Sequence, residues 1–277
     1  MNIDIVCPLY NAADYLRSLH SSLLKQKNVN ILSIRYVLTR SKDGTKSILD
    51  ELNAQYTEIE PSEFSHSLTR ENEAKKCRGD VIVFISQDIK ILRDDWLFYL
   101  TKGISDGACE AAYSRQIADK NNIEKYTREK NYGVTEFIKS KKDIPKLGLN
   151  TFFFSDASSA ILRKTFDELG YYDGKRLASN EDQYIAYKLI TSGYRIEYAA
   201  KSEVIHSHDF NFRTLYKRYK DTGDFYRKEK YMNNFSTNRA GADMAIYILR
   251  RIFEDRNLKA AIEFIPNMLA RYLGMKF

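Results

Sequence analysis

The stretch GDVIVFISQDIKI, Gly79 to Ile91, places a carboxylate, Asp88, just past five consecutive apolar residues, Val81 to Ile85. That run has the length and β-branched content of a strand buried on both faces. Open α/β sheets bind ligands just outside the carboxyl ends of their strands, so Asp88 stands where a ligand site forms. Asp is equally at home in turns and helix caps, and this stretch alone admits both readings. As a ligand, Asp88 would hold a hard cation through oxygen, and Gln87 beside it would add hydrogen bonds but no charge. His206 or His208 could complete such a shell, which would then suit Mn2+ or Mg2+ better than zinc; a histidine near a strand end is more commonly a satisfied structural residue. Glu181 and Asp182 follow Asn180 at the head of a helical segment, where the helix dipole favours acids whatever their chemistry.

These groups need a scaffold. The first half of the chain alternates strand-like and helix-like segments, the pattern of a mostly parallel sheet. Strands are predicted at Ile3–Leu9, Ile34–Thr39, Tyr56–Ile59 and Val81–Ser86, and helices at Ala13–Lys25, Thr45–Ala54 and Thr69–Cys77. Asn11, Asp43-Gly44 and Ser67 are the caps or turns that would start the helices. Ala118–Asn150 is rich in Lys, Asn and Glu with weak periodicity, which predicts a long loop or lid with short helices. Beyond it come a strand at Thr151–Phe154, a short helix around Lys164–Leu169, a helix over Glu181–Ser192, and strands at Tyr194–Ala199 and Glu203–His206. From Phe212 onward the pattern is helical: Ala245, Ile248, Leu249, Ile252 and Phe253, then Leu258, Ala261, Ile262 and Ile265, recur at i, i+3, i+4 spacing.

A chain of 277 residues with 43% apolar content supplies the core of one large α/β domain or two smaller ones. The opening MNIDIVCPLYN has no basic segment followed by a long apolar one, and reads as a buried first strand instead of a secretion signal. No window approaches the eighteen apolar residues of a membrane span. Cys7, Cys77 and Cys109, odd in number and without metal-type spacing, argue against a disulfide framework or zinc knuckle and point to a reducing cytoplasm. The net charge of +7 is uneven: residues 1–210 hold 30 Lys/Arg and 30 Asp/Glu, whereas residues 211–277 hold 14 and 7. A neutral body with a basic helical tail suits a membrane surface or anionic substrate better than it suits duplex nucleic acid. Neither G-x-G-x-x-G nor G-x-x-x-x-G-K-[ST] occurs, which argues against a dinucleotide oxidoreductase or a P-loop enzyme.

Four segments, in order, resemble one family. IVCPLYNAADYLRSLHSSLLKQ at residues 5–26 resembles the opening of the inverting GT-A glycosyltransferases of family 2: an apolar strand, then Pro, a variable residue, Tyr or Phe and Asn, then a helix. SKDGT at 41–45 resembles the end of their second-strand motif. TRENEAKKCRGDVIVFISQD at 69–88 resembles their Arg-containing helix, Gly-Asp, apolar strand and terminal acidic motif, and EDQYIAYKLITSGYRIEY at 181–198 their acidic catalytic segment. Within the family the closer resemblance is to bacterial rhamnosyltransferases that use a dTDP-activated sugar. It is carried by FSHSLTR at 64–70, SQD at 86–88, HSH at 206–208 and the helix YKRYKDTGDFY at 216–226.

The resemblance implies an α/β GT-A fold, a Rossmann-like, mixed, mostly parallel central sheet flanked by helices, with a helical C-terminal extension. A sugar nucleotide leaves a diphosphate behind, so its site needs a divalent cation or basic groups to absorb the developing charge. Asp88 with His206 or His208 would hold Mn2+ or Mg2+. Inversion needs a base for the acceptor hydroxyl; the resemblance assigns Asp182, with Glu181 as runner-up. Arg70 would contact the diphosphate or base, against the reading of an exposed helix residue. Pro8, Tyr10, Asn11, Thr39, Asp43, Gln87 and Asp88 would line the nucleotide pocket. Two positions depart from the family pattern. The acid that usually ends the second strand and binds the base is replaced by Leu38, followed by Thr39 and Arg40, and Glu71 replaces the Asn that commonly follows the Arg.

The expectation is therefore an inverting, metal-dependent glycosyltransferase that moves a sugar, L-rhamnose from dTDP-rhamnose, onto a hydroxyl of a bacterial cell-surface polysaccharide or lipid-linked glycan. Residues 1–210 form the catalytic domain, with 1–117 binding the donor and 118–210 the acceptor; 211–277 form the basic helical tail, set on the inner membrane face or packed back on the domain. The protein is expected in the cytoplasm, peripheral to the membrane, without nucleic acid, and a homodimer is compatible. Rival readings are transfer from another nucleotide sugar such as a UDP-hexose, and a non-catalytic sugar- or nucleotide-binding protein of the same fold. A nucleotidyltransferase would need a Gly-rich phosphate loop where this chain has Pro8-Leu9-Tyr10-Asn11.

Overall fold

A computed structural model describes residues 1–231, 235 and 237–277. In chain order the elements are β1 (Asn2–Leu9), α1 (Ala13–Leu24), β2 (Asn30–Thr39), α2 (Thr45–Glu51), β3 (Gln55–Ile59), α3 (His66–Ala74), β4 (Val81–Ile85), β5 (Lys90–Ile91), α4 (Trp96–Ser105), β6 (Ala111–Ile117) and α5 (Ile123–Asn131). There follow β7 (Phe137–Lys139), α6 (Ile144–Leu147), β8 (Ser158–Leu162), α7 (Arg163–Glu168), α8 (Glu181–Thr191), β9 (Ile196–Ile205), α9 (Phe212–Lys228), α10 (Thr237–Glu254) and α11 (Leu258–Lys276). The strands form one sheet in the order β3-β2-β1-β4-β8-β6-β9-β5, with β7 also paired to β9. β1 through β4 run parallel, β8 is antiparallel to both β4 and β6, and β6 and β9 are parallel.

Strand alternation explains why β1 and β4 read as unbroken apolar runs. Ile3, Ile5, Cys7 and Leu9 of β1 and Val81, Val83 and Ile85 of β4 enter the core under α1 and α4, while Val6, Ile82 and Phe84 enter a second core with Phe166 and Ile185. Each such side chain contributes about 1.5–3 kcal/mol by leaving water. The polar residues at the start of these strands fix the register. Asp4 is buried and accepts from the backbone N–H of Arg78 (2.7 Å) and Gly79 (2.6 Å), and Asp80 accepts from the N–H of Asn2 (2.8 Å). A Cβ on Gly79 would lie 2.8 Å from the Asn2 carbonyl oxygen, so only glycine permits this approach.

The structure moves several sequence-based boundaries. α3 begins a turn earlier than expected because Ser65, not Ser67, is its cap, accepting from the Leu68 N–H. Ser67 instead donates to the Lys175 carbonyl (2.6 Å) and accepts from the Leu177 N–H (2.9 Å), tying α3 to a later loop. Thr151–Phe154 is not a strand: Gly148–Phe152 is a short 3-10 helix whose one aromatic residue, Phe152, turns into the second core against Tyr187 at 5.2 Å. The strands expected at Tyr194–Ala199 and Glu203–His206 are one strand, β9, with a register shift opposite Ser114/Arg115. Cys7, Cys77 and Cys109 are buried free thiols, and no helix among the described residues is long and apolar enough to cross a membrane.

Candidate active site

Asp88 reaches the rim of the sheet through the turn that ends β4, and His206 and His208 reach the same place from the end of β9. The Asp88 carboxylate lies 3.4 Å from His206 Nε2 and 3.8 Å from His208 Nδ1, and one ligand atom from each of the three residues falls within 4.8 Å of the others. The strand exits are clamped together: the His206 N–H donates to the Ile117 carbonyl (2.9 Å), Ser207 Oγ accepts from the Asp119 N–H (2.8 Å), and the His208 carbonyl accepts from Asn122 (2.8 Å).

A second layer fixes the chemistry of His206. Its Nδ1 is 2.7 Å from Gln116 Oε1, which also accepts from Arg128, while Gln116 Nε2 donates to Ser155 Oγ at 2.8 Å. A guanidinium only donates, so the Gln116 atom it meets is the oxygen, and His206 Nδ1 must carry the proton. The Nε2 lone pair therefore faces the Asp88 carboxylate. Burial holds His206 below its usual pKa, and burial with the neighbouring His206 brings His208 down to about 3. Burial opposes ionisation of Asp88, but when the imidazoles are protonated the hydrogen bond from His206 and the charges of His206 and His208 outweigh it and bring its pKa to about 2. One carboxylate and two neutral imidazoles converging from fixed second partners form a donor set that fits a divalent cation.

A second cluster lies at the head of α8. Glu181 is 3.2 Å from Arg70 Nη1 and 3.7 Å from His66 Nδ1, and Arg70 also donates to the His66 carbonyl (2.9 Å). Arg70 is only 4% exposed, which rules out the reading of it as an exposed helix residue. Asp156, in the bend before β8, is buried and accepts from Ser159 (2.7 Å) and Tyr172 (2.8 Å). One guanidinium among three carboxylates leaves an excess of negative charge. Burial first, then Glu181 and Asp156, hold the half-buried Asp182 well above the ordinary carboxylate range; its one strong local bond is from the Gln183 N–H at 2.7 Å. A carboxylate held that way is a stronger base than free aspartate, as proton abstraction from a hydroxyl requires. Ser155 and Asp156, adjacent in the chain, link this cluster to Gln116 and His206.

Several expected nucleotide contacts have structural partners. Gln87 donates to the Tyr10 carbonyl (2.9 Å) and accepts from its N–H (2.7 Å), so its amide holds the loop after β1. Asp43 accepts from Ala13 N, Ser41 Oγ and Thr45 Oγ1 at 3.0, 2.8 and 2.7 Å; burial opposes its ionisation, but these bonds bring its pKa to about 2. Pro8 is half-buried, Tyr10 is exposed at the rim, and Asn11 takes a left-handed conformation (φ 50°). At the end of β2, Leu38 is buried in the core and the buried Thr39 hydroxyl has no partner among the described residues. Glu71 accepts from the N–H groups of Tyr172 and Gly174, both at 3.1 Å, and so braces a turn in which Tyr171 and Asp173 have positive φ. Asp156, Gln116 and Arg128 were not singled out from the sequence. The available signal for Asp156 is that it is the lone acid between Asp143 and Asp167.

The sequence profile described as Glycosyl transferase family 2 matches residues 4–170. The chain belongs to glycosyl transferase family 2. Over 284 residues it is 31% identical to the O-antigen chain rhamnosyltransferase RfbN of Salmonella typhimurium, covering 100% of this chain and 89% of that protein. The O-antigen chain rhamnosyltransferase WbaN of Salmonella anatum is also 31% identical, with 98% and 87% covered. Among solved structures, the mannosyltransferase PcManGT from Pyrobaculum calidifontis in complex with GDP-Man and Mn2+ superposes with a TM-score of 0.60 at 14% identity, covering 98% of this chain and 83% of that one. S. aureus TarS 1–349 in complex with UDP-GlcNAc gives 0.57 at 12%, covering 100% and 91%. The fold is GT-A, and the protein is a glycosyltransferase.

Proposed function

We propose that this glycosyltransferase moves L-rhamnose from dTDP-rhamnose, with inversion, to a hydroxyl of a lipid-linked cell-surface polysaccharide. The observation that supports this best is likeness to two O-antigen rhamnosyltransferases over at least 98% of the chain, helical tail included. In the reaction the acceptor oxygen bonds to the anomeric carbon as the bond to the diphosphate breaks. The electron pair leaves on the diphosphate and the hydroxyl proton passes to Asp182. Glu181, neutralised by Arg70, orients the head of α8. Asp88, His206 and His208 would hold Mn2+ or Mg2+, whose charge stabilises the departing diphosphate. Thr39, not a carboxylate, is the polar group that the end of β2 offers to the base.

Residues 1–117 bind the donor in this reading and 118–210 the acceptor. The test is incubation with dTDP-rhamnose, UDP-hexoses and GDP-mannose in the presence of Mn2+ or Mg2+. Consumption of dTDP-rhamnose is expected, and turnover confined to a uridine- or guanosine-linked donor would overturn the assignment.

The tail supports a membrane-borne acceptor. Leu258, Ile262, Ile265, Leu269 and Tyr272 form one stripe along α11, the first three 73–80% exposed, and Ile246, Leu249 and Phe253 continue the apolar exposure on α10. Because the charge excess lies in the same segment, the occupant proposed is an anionic lipid surface on the cytoplasmic side. Sedimentation with phosphatidylglycerol-containing vesicles is expected to capture the protein, and Ile262→Glu to release it. Dimers that dissociate on Ile262→Glu, without vesicle binding, would assign the stripe to a second copy instead.

A further inference from the structure

We propose that Arg218, on the tail helix α9, contacts the donor diphosphate and takes up part of the charge that develops on it as the sugar leaves. This rests on the nucleoside-diphosphate donor proposed above. The Arg218 guanidinium lies 5.6 Å from the Phe210 ring centroid; Phe210 packs on His208 at 4.7 Å with the rings inclined by 32°, and His208 packs on His206 at 4.4 Å. Arg218 is thus one aromatic ring away from the candidate metal ligands. It is exposed, and it forms no ion pair or side-chain hydrogen bond among the described residues, whereas Arg227, Arg250, Arg251 and Arg271 of the same tail each meet a carboxylate.

The helix that carries Arg218 is held rigidly. α9 is capped by Asn211, which accepts from the Thr214 N–H at 2.9 Å. It crosses α11 so closely that a Cβ on Gly274 would lie 2.6 Å from the Tyr216 carbonyl, and one on Gly223 2.8 Å from that of Met275. Arg271 of α11 donates to Tyr219 of α9 (2.7 Å) and to Glu124 (2.7 Å) and Thr127 (3.0 Å) of α5, beside Arg128. Two guanidinia, those of Arg128 and Arg218, are therefore carried to the rim of the candidate cation site by helices that Arg271 joins. Arg128 is committed to Gln116, which leaves Arg218 as the cation whose hydrogen-bond donors are free for phosphate oxygens.

The test compares Arg218→Ala and Arg218→Lys with Arg213→Ala, an exposed arginine in the first turn of the same helix. Binding of a nucleoside diphosphate and of its monophosphate is measured by calorimetry with Mn2+ present, alongside kcat and KM. For Arg218→Ala, diphosphate binding is expected to weaken about 10-fold and kcat to fall about 10–100-fold, with monophosphate binding, metal affinity and Tm unchanged. Arg218→Lys should recover part of the loss, and Arg213→Ala should match the unaltered protein. Diphosphate binding and kcat in Arg218→Ala equal to those of the unaltered protein would overturn the proposal, as would equal losses for diphosphate and monophosphate. The measurement uses whichever nucleoside diphosphate the unaltered protein binds, so a wrong base defeats the donor assignment and not this one.

Discussion

Asp182→Asn is expected to lower kcat by about 10²–10⁴-fold, the range over which a positioned general base contributes. Asparagine keeps the shape and the Gln183 N–H contact but cannot accept the acceptor's proton. The pH profile separates a base from a binding group. A base must be unprotonated, so kcat/KM should rise with pH through the Asp182 pKa, which burial, Glu181 and Asp156 have raised. That limb should vanish in the variant. Stability should move the other way. A group whose pKa is raised by folding contributes stability at low pH that is lost as the pH rises through its folded pKa. Asp182→Asn should therefore raise Tm relative to the unaltered protein at pH values above that pKa. If the variant keeps at least half its activity and an unaltered pH profile, the base is another group of the cluster, with Glu181→Gln and Asp156→Asn next in line.

Removing the cation is the second large effect. Chelation with EDTA is expected to reduce turnover by at least about 100-fold and added Mn2+ to restore it, since absorbing charge on a leaving diphosphate stabilises the transition state by several kcal/mol. Asp88→Asn removes the only anionic ligand of the cluster while preserving its volume. Metal affinity measured by titration should drop about 100-fold or more, because uncharged oxygen and two imidazoles hold a hard cation weakly. Full turnover after exhaustive chelation would remove the metal from the mechanism and leave charge neutralisation to the arginines.

The first half of the fold was legible in the sequence because its signals are local. Parallel strands buried on both faces give unbroken apolar runs, and β1, β2, β3 and β4 all fall where such runs, or their turns, predict. β8 and β6 were not found because their buried faces are small and polar. Ser114, Ser158 and Ser159 are fully buried and satisfied by one another or by Asp156, so neither strand shows apolar alternation. The motifs named Asp88, His206, His208, Glu181 and Asp182, and the fold groups them into two clusters. What spacing could not reveal is what each polar group does with its hydrogen bonds. Gln87 is engaged by the backbone of Tyr10 and Asp43 by that of Ala13, both just after β1, Glu71 braces a turn a hundred residues away, and Gln116 fixes a tautomer from a neighbouring strand. Such roles depend on contacts between residues far apart in the chain.

The Asp4–Gly79–Asp80 junction bears on how relatives of this chain should be sorted. Glycine at 79 is demanded by a backbone approach, and Asp4 and Asp80 are consumed by amide groups at the start of the sheet, at the opposite end of β4 from Asp88. A descendant that had lost transfer activity would still need all of them in order to fold. Their presence in a relative is therefore a marker of ancestry alone, and a search for active members should be scored on Asp88, Asp182, His206 and His208, the residues proposed for the cation and the base.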